Sequence, residues 1–230
     1  MIKAIIFDLD NTLTHRNKSI EQYAEAFVED FQAQLTSISK EEIAALIKGI
    51  DNNGYGNPTN THSSQKMSIA YALSQLPQWQ TPVSFYVLLN HWMHNFPLHS
   101  VAIPEAKELL TLLKHQGYRL GVISNGAAFS RLATLNALGF LQDFEVVISS
   151  DEFGTKKPDA SIFIHTAQQM GLAPEDCCYI GDHYTNDYLG ATRSGMTAYW
   201  LEGFIPLPSG VSKPDNTLTN LDDLKQIFLT

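Results

Sequence analysis

Five short apolar runs limit what this chain can fold into more than any other feature. They are Ala4–Phe7, Leu120–Ile123, Glu145–Ile148, Cys177–Ile180 and Thr197–Leu201. Each is strand-like and apolar on both faces, so each needs cover on both sides, as in a parallel sheet with helices above and below it. The stretches between them fit. Pro104–Gln116 carries Ala106, Leu109, Leu110 and Leu113 at helical spacing and ends at Gly117. Phe129–Leu138 stops at Gly139, and Ala160–Met170 stops at Gly171. Glycine after the last periodic residue is a common helix stop. Strand, helix, strand, helix with short connections predicts an α/β fold, a doubly wound parallel sheet.

Residues 16–96 interrupt the alternation. Helical patterning covers Ile20–Leu35, Lys40–Ile50, Ser64–Leu76 and Val83–Asn95, split by the glycine- and asparagine-rich loop DNNGYGNPTN at 51–60. No strand-like run occurs in that stretch, so it reads as a helical insertion, a cap or lid. The expected division is therefore 1–15 and 97–230 for the α/β core and 16–96 for the cap. GFIPLPSGVSKPDN, 203–216, reads as a loop, followed by a short terminal helix over Leu221–Leu229.

Composition narrows the partners. A chain of 230 residues with 44% hydrophobic side chains can bury a substantial core, which excludes a disordered chain. The formal charge of −9 repels nucleic-acid backbones and anionic membrane surfaces, so neither is expected as a partner. A small anionic substrate is compatible only where local positive charge or a metal overrides that field. The two cysteines, Cys177 and Cys178, are adjacent in an apolar run and read as reduced, buried small hydrophobes. No apolar run reaches the roughly 18 residues that would span a membrane, and a cytoplasmic location is expected. Monomer and homodimer remain equally open.

In an open parallel sheet, ligands bind at the carboxyl ends of the strands. The first strand is followed by Asp8, Asp10 and Thr12, and the second by Ser124, Asn125 and Gly126. After the third comes SSDEFGTKKPD with Lys156 and Lys157; after the fourth come Gly181, Asp182 and Asp187. Each piece alone is compatible with a turn or a helix cap. Together, in order and each at a strand end, they describe one rim rather than four turns. Several carboxylates on one rim cannot all stay ionised without a cation. Mg2+ suits such oxygen ligands together with a substrate phosphate. A lysine and a serine hydroxyl can hold the remaining phosphate oxygens. One carboxylate can then attack phosphorus, and a second can move the proton.

These four segments resemble the motifs of the haloacid dehalogenase-like (HAD) hydrolase superfamily, in its phosphatase branch with a helical cap between the first and second motifs. The matching residues are Asp8-Leu9-Asp10-Asn11-Thr12, Ser124-Asn125, Lys157-Pro158-Asp159 and Gly181-Asp182 through Asp187. The resemblance implies a Rossmann-like core and a Mg2+-dependent phosphatase that hydrolyses a small phosphorylated metabolite. By the same resemblance Asp8 is the nucleophile and a metal ligand. Asp10 is the general acid and base, with its carbonyl on the metal. Thr12 supports the loop, while Ser124 and the Asn125 backbone bind the phosphoryl group. Lys157 neutralises charge, Asp182 ligates Mg2+, and Asp187 supports from behind. The family pattern places the lysine directly before Pro-Asp, which selects Lys157 over Lys156; a second Lys-Pro-Asp, Lys213–Asp215, falls too late in the order. Phosphomutase and 2-haloacid dehalogenase of the same superfamily, and a non-catalytic phospho-ligand binding module, are the competing readings. Asp10 argues against the dehalogenase, and the intact motif set argues against the binding module.

Outside the motifs, His91 and His94 stand three apart on a predicted helix, with His99 nearby, but no third metal ligand is placed. Trp79, Phe85, Tyr86, Trp92 and Phe96 read as packing within the insertion or as a lid surface. His15, Arg16 and His183 are candidates for substrate contact, and the loop 51–60 is expected to be flexible and to touch the leaving group.

Overall fold

A computed structural model describes residues 1–229. The described residues form two compact units, 1–14 with 102–229, and 15–101. The first holds one sheet of six parallel strands, β1 (Ala4–Phe7), β2 (Arg119–Ser124), β3 (Val146–Ser149), β4 (Cys177–Gly181), β5 (Thr197–Leu201) and β6 (Thr217–Leu218). The helices of the second unit are α1 (Arg16–Asp30), α2 (Lys40–Asp51), α3 (Gln65–Ser74) and α4 (Phe85–Asn95). The sheet unit adds α5 (Ala106–His115), α6 (Ala128–Ala137), α7 (Ser150–Phe153), α8 (Ala160–Gln169), α9 (Gly190–Arg193) and α10 (Asp223–Phe228).

The strand order is β3-β2-β1-β4-β5-β6. The chain steps outward from β1 to β3, then returns to the other side of β1 to lay down β4. That reversal opens a crevice between the carboxyl ends of β1 and β4, where open α/β sheets bind ligands. Register makes the strand ends level: Phe7 lies opposite Val122 on one side and Ile180 on the other. The residues that follow, Asp8, Ser124 and Asp182, therefore emerge on one rim.

Alternation along β1 divides the core. Ile5 and Phe7 pack with Leu109, Leu113, Leu135 and Leu224 of α5, α6 and α10. Ala4 and Ile6 pack with Ile162, Phe163 and Ala191 of α8 and α9. Both faces are covered, as the doubly apolar runs require. Cys177 and Cys178 are free and buried on opposite faces of β4. No helix of the described residues is long and apolar enough to cross a membrane.

The helical unit has its own core, built from Ile20, Tyr23, Phe27, Ile43, Ile47, Ile69, Leu73, Leu88 and Trp92. Ser39 and Glu42 close a capping box at the start of α2. Residues 97–101, expected in the core, belong instead to this unit. Val101 donates its amide to Ser19 Oγ at 2.9 Å and accepts the His15 amide at 2.7 Å, which ties the segment to the start of α1.

Arg16 departs most from expectation. It begins α1 four residues early and is buried, donating through Nε and Nη2 to both oxygens of Asp51 at 2.8 and 2.7 Å. Asp51 also accepts the Gly54 amide at 2.8 Å and the Gln65 side chain. Arg16 is thus an anchor within the helical unit, its charge met by Asp51. The loop 51–60 is correspondingly tied down, with Asn60 Nδ2 on the Ile50 carbonyl at 3.0 Å and Asn52 Nδ2 on that of Gly56 at 2.9 Å. Two further elements, α7 and the two-residue β6, are too short to leave a periodic signal in the sequence. Removing one partner of the buried pair, as in Arg16→Met, should cost about 3–5 kcal/mol, because the other charge stays buried and unpaired. Arg16→Met with Asp51→Leu should recover part of that loss. Urea unfolding of the two single variants and the double variant checks the expectation; equal losses in single and double variants would contradict it.

Candidate active site

The first acidic segment leaves the sheet without breaking its ladder, since the Asp8 amide donates to the Ile180 carbonyl at 2.8 Å. The chain then folds back tightly: the amides of Leu13 and Thr14 both donate to the Leu9 carbonyl at 2.9 Å. Asn11 makes the turn possible with φ of 59°, a left-handed conformation that asparagine tolerates. The hydroxyl that braces this turn belongs to Thr14, which donates to the Leu9 carbonyl at 3.3 Å and lies 3.5 Å from Asp10 Oδ1. The expected brace, Thr12, is fully buried, but its hydroxyl finds no hydrogen-bond partner among the described residues.

At the centre is Lys157. Its buried ammonium reaches Asp8 Oδ1 at 2.6 Å, Asp187 Oδ1 at 2.7 Å, the Tyr179 hydroxyl at 2.8 Å and the Ile123 carbonyl at 3.0 Å. Burial works against the charge, but the two carboxylates outweigh it and raise the Lys157 pKa. Asn125 fixes the lysine backbone from both sides: its Oδ1 accepts the Lys157 amide at 2.9 Å and its Nδ2 donates to the Lys157 carbonyl at 3.0 Å. The Asn125 side chain is therefore committed to holding Lys157. Ser124 is buried at the end of β2, in register with Ser149.

The β4 end supplies the other carboxylates. Asp182 is wholly buried, and the Trp200 indole donates to its carbonyl at 2.7 Å. Asp187 arrives on a single π-type turn, Tyr184–Leu189, a rare geometry that is frequent at functional sites. Its carboxylate lies flat against Gly181, where any Cβ would collide with it. Asp8, Asp182 and Asp187 each offer an oxygen, all within 4.8 Å of one another. Their oxygens differ in commitment. Asp187 is used on both sides, by Lys157 and Tyr179 on Oδ1 and by the His183 amide on Oδ2 at 2.9 Å. Both oxygens of Asp182 are buried with no hydrogen-bond partner among the described residues. A buried carboxylate with no donor is untenable as an anion unless a cation sits against it. This donor set fits a hard divalent cation such as Mg2+. Burial, and then the Asp8 and Asp187 charges, push the Asp182 pKa well above the usual carboxylate range. Burial likewise raises Asp8 to about 7 against the pull of Lys157.

Asp10 is turned to a different cation. Its Oδ2 accepts from Arg131 Nη1 at 2.6 Å. Arg131 and Tyr179 were not singled out from the sequence. Tyr179 is hidden inside the apolar pattern of β4, whereas Arg131 left a trace as the one charged residue in Ala127–Phe140. The histidine candidates have partners of their own. His183 caps the π-turn, its Nδ1 accepting the Thr185 and Asn186 amides at 3.2 Å. His91 is held between the Tyr23 hydroxyl and Asp30 at 2.9 Å each, and His94 Nδ1 bonds the Asn90 carbonyl. Lys213, of the second Lys-Pro-Asp, forms an exposed pair with Glu202 at 2.8 Å.

The haloacid dehalogenase-like hydrolase family matches residues 2–195, and the chain belongs to that family. A glyceraldehyde 3-phosphate phosphatase of Methanothermobacter thermautotrophicus is 28% identical over 99% of this chain and 98% of its own length. That of Methanocaldococcus jannaschii is 30% identical over 99% of this chain and 97% of its own. Among solved structures, an L-2-haloacid dehalogenase of Xanthobacter autotrophicus shares the fold, with a TM-score of 0.70 at 18% identity over 99% of this chain and 98% of its own. The chain is thus an enzyme of the family, of the phosphatase kind for which its curated relatives are named.

The raised carboxyl pKa values give a pH dependence with a definite sign. Asp8 and Asp182 hold protons in the folded metal-free protein at pH values where the unfolded chain, near 3.8, has lost them. Stability from Asp8 therefore falls as pH rises from about 4 through 7, and Asp182 acts in the same direction. In EDTA, Asp182→Asn should melt above the wild type at pH 8, with a smaller gap at pH 5. Millimolar Mg2+ should raise the wild-type melting temperature at pH 8 and leave the variant's nearly unchanged. A gap independent of pH would contradict the assignment.

Proposed function

We propose that the protein is a Mg2+-dependent phosphatase that hydrolyses a small phosphomonoester through an aspartyl-phosphate on Asp8. The observation that carries this reading is the buried Lys157 ammonium 2.6 Å from Asp8, beside an Asp182 carboxylate with no donor of its own. Asp8 attacks phosphorus, forming an oxygen–phosphorus bond as the bond to the leaving group breaks, and Asp10 gives that group its proton. Water then attacks the same phosphorus, Asp10 takes its proton, and phosphate departs with Asp8 restored. Lys157 balances charge on Asp8 and the phosphoryl oxygens, while the Ser124 hydroxyl and the Asn125 amide hold those oxygens. Mg2+, held by Asp8, Asp182 and the Asp10 carbonyl, would neutralise charge on the transferring group. Asp187 keeps Lys157 in place.

The helical insertion is assigned the role of cap, which excludes bulk water while the acyl phosphate exists. Relatives named for glyceraldehyde 3-phosphate and for phosphoglycolate support a short-chain phosphorylated metabolite as the substrate, and a cytoplasmic location goes with it. Asp10 supports phosphoryl transfer over dehalogenation, because a halide needs no proton to leave. Asp8→Asn and EDTA should each reduce hydrolysis to background with the fold intact. Asp10→Asn should cost about 10²–10⁴-fold on alkyl phosphates. A panel of short phosphorylated metabolites with Mg2+, ranked by kcat/KM, identifies the substrate. Undiminished p-nitrophenyl phosphate hydrolysis by Asp8→Asn, or in EDTA, would overturn the mechanism.

A further inference from the structure

We propose that Arg131 is a positioning residue that, by holding Oδ2 of Asp10, dictates which oxygen of that carboxyl group exchanges the proton. The inference rests on the phosphatase reading above and goes beyond it, since Arg131 lies outside all four motif segments. A free carboxyl group has two equivalent oxygens. Here they are unlike: Oδ2 accepts from Arg131 Nη1 at 2.6 Å, and Oδ1 has a long contact, 3.5 Å, to Thr14 Oγ1. A guanidinium donating to one oxygen disfavours a proton on that oxygen, so the proton is directed to Oδ1. Similar logic lets a carboxylate fix the tautomer of a catalytic histidine.

The pair is not placed as a surface salt bridge. Arg131 and Asp10 are only 14% and 22% exposed. The guanidinium lies over the bare backbone of Gly126, where a Cβ would come within 2.5 Å of Nη2 and 2.8 Å of Nε. Glycine at 126 is what lets the arginine reach Asp10. Nor is the arginine saturated, as one retained for stability would be. Of its five N–H donors, one makes the short bond to Asp10 and another a 3.5 Å contact to the Asn125 carbonyl, while Nε is buried with no partner. A side chain that leaves a buried donor unmet while making one short bond to Asp10 is placed for that bond.

In the first half-reaction the proton passes from Asp10 Oδ1 to the leaving-group oxygen as the phosphorus–oxygen bond breaks. In the second it passes from water to Oδ1, and Oδ2 stays on Arg131 throughout. The test compares the full-length wild type, Asp10→Asn, Arg131→Gln and Arg131→Lys with Mg2+, on p-nitrophenyl phosphate and on glycerol phosphate. p-Nitrophenolate leaves without a proton, whereas the alkoxide cannot. Arg131→Gln should lower kcat on glycerol phosphate about 10²-fold while changing the p-nitrophenolate burst rate and both KM values less than about threefold. Arg131→Lys should show the same selectivity with a smaller loss, and it carries the test if the glutamine variant does not fold. Equal losses on the two substrates would overturn the proposal in favour of a structural role. A rise in KM with kcat retained would overturn it in favour of a substrate anchor. If Asp10→Asn discriminates between the substrates and the Arg131 variants do not, the positioning role alone fails. If Asp10→Asn does not discriminate, the phosphatase mechanism fails and takes the proposal with it.

Discussion

The buried Lys157 ammonium, shared between Asp8 and Asp187, is the contact on which the rest of the site depends. An unpaired ammonium in that position would be expelled or neutralised. It is kept because the ends of three strands converge on it: Asp8 beyond β1, the Ile123 carbonyl of β2, and Tyr179 with Asp187 from β4. An ammonium has three protons, and four acceptors lie within reach, so its position is overdetermined. The Asn125 clamp on its backbone adds the loop after β3 to the same assembly. The charge balance is unequal, since Asp8, Asp182 and Asp187 face a single lysine. Two negative charges are left over, which is the demand a divalent cation meets.

How much of this was legible in the sequence follows from how far each signal travels along the chain. The sheet was legible because strands apolar on both faces can be satisfied only by cover on both sides. The motif residues were legible because they terminate those strands, so local pattern and position in the fold coincide. Arg131 and Tyr179 were not, because each acts across the fold from inside a segment whose pattern is already explained by packing. Thr14 took the bracing role expected of Thr12 for a similar reason. Which of two alternating threonines turns back to Leu9 depends on the left-handed turn at Asn11, not on residue type.

Arg16 was misread in an instructive way. Its position immediately after the first motif suggested a rim residue, yet its partner is Asp51, thirty-five positions away. The same contact anchors the start of the glycine- and asparagine-rich loop. Asp51 spends its oxygens on Arg16, Gly54 and Gln65, and the loop's asparagines bond to backbone carbonyls. Left-handed geometry at Asn52 and Asn53 is what the asparagines supply there, so the composition reports turn geometry rather than looseness.

The two aspartates at positions 8 and 10 raise the question of how like charges so close in sequence coexist. Burial alone would force a proton onto one of them, as it does in carboxylate pairs that share a site. Here each meets its own cation: Asp8 meets Lys157 from beyond β3, and Asp10 meets Arg131 from α6. Asp10 is the least of the causes that raise the Asp8 pKa, behind burial and Asp187. Separate cations also make the two carboxylates chemically distinct. One is buried against an ammonium beside Asp182, and the other is partly exposed and paired with a guanidinium. That difference in environment allows one to serve as a nucleophile and the other as a proton carrier, although both are the same residue two positions apart.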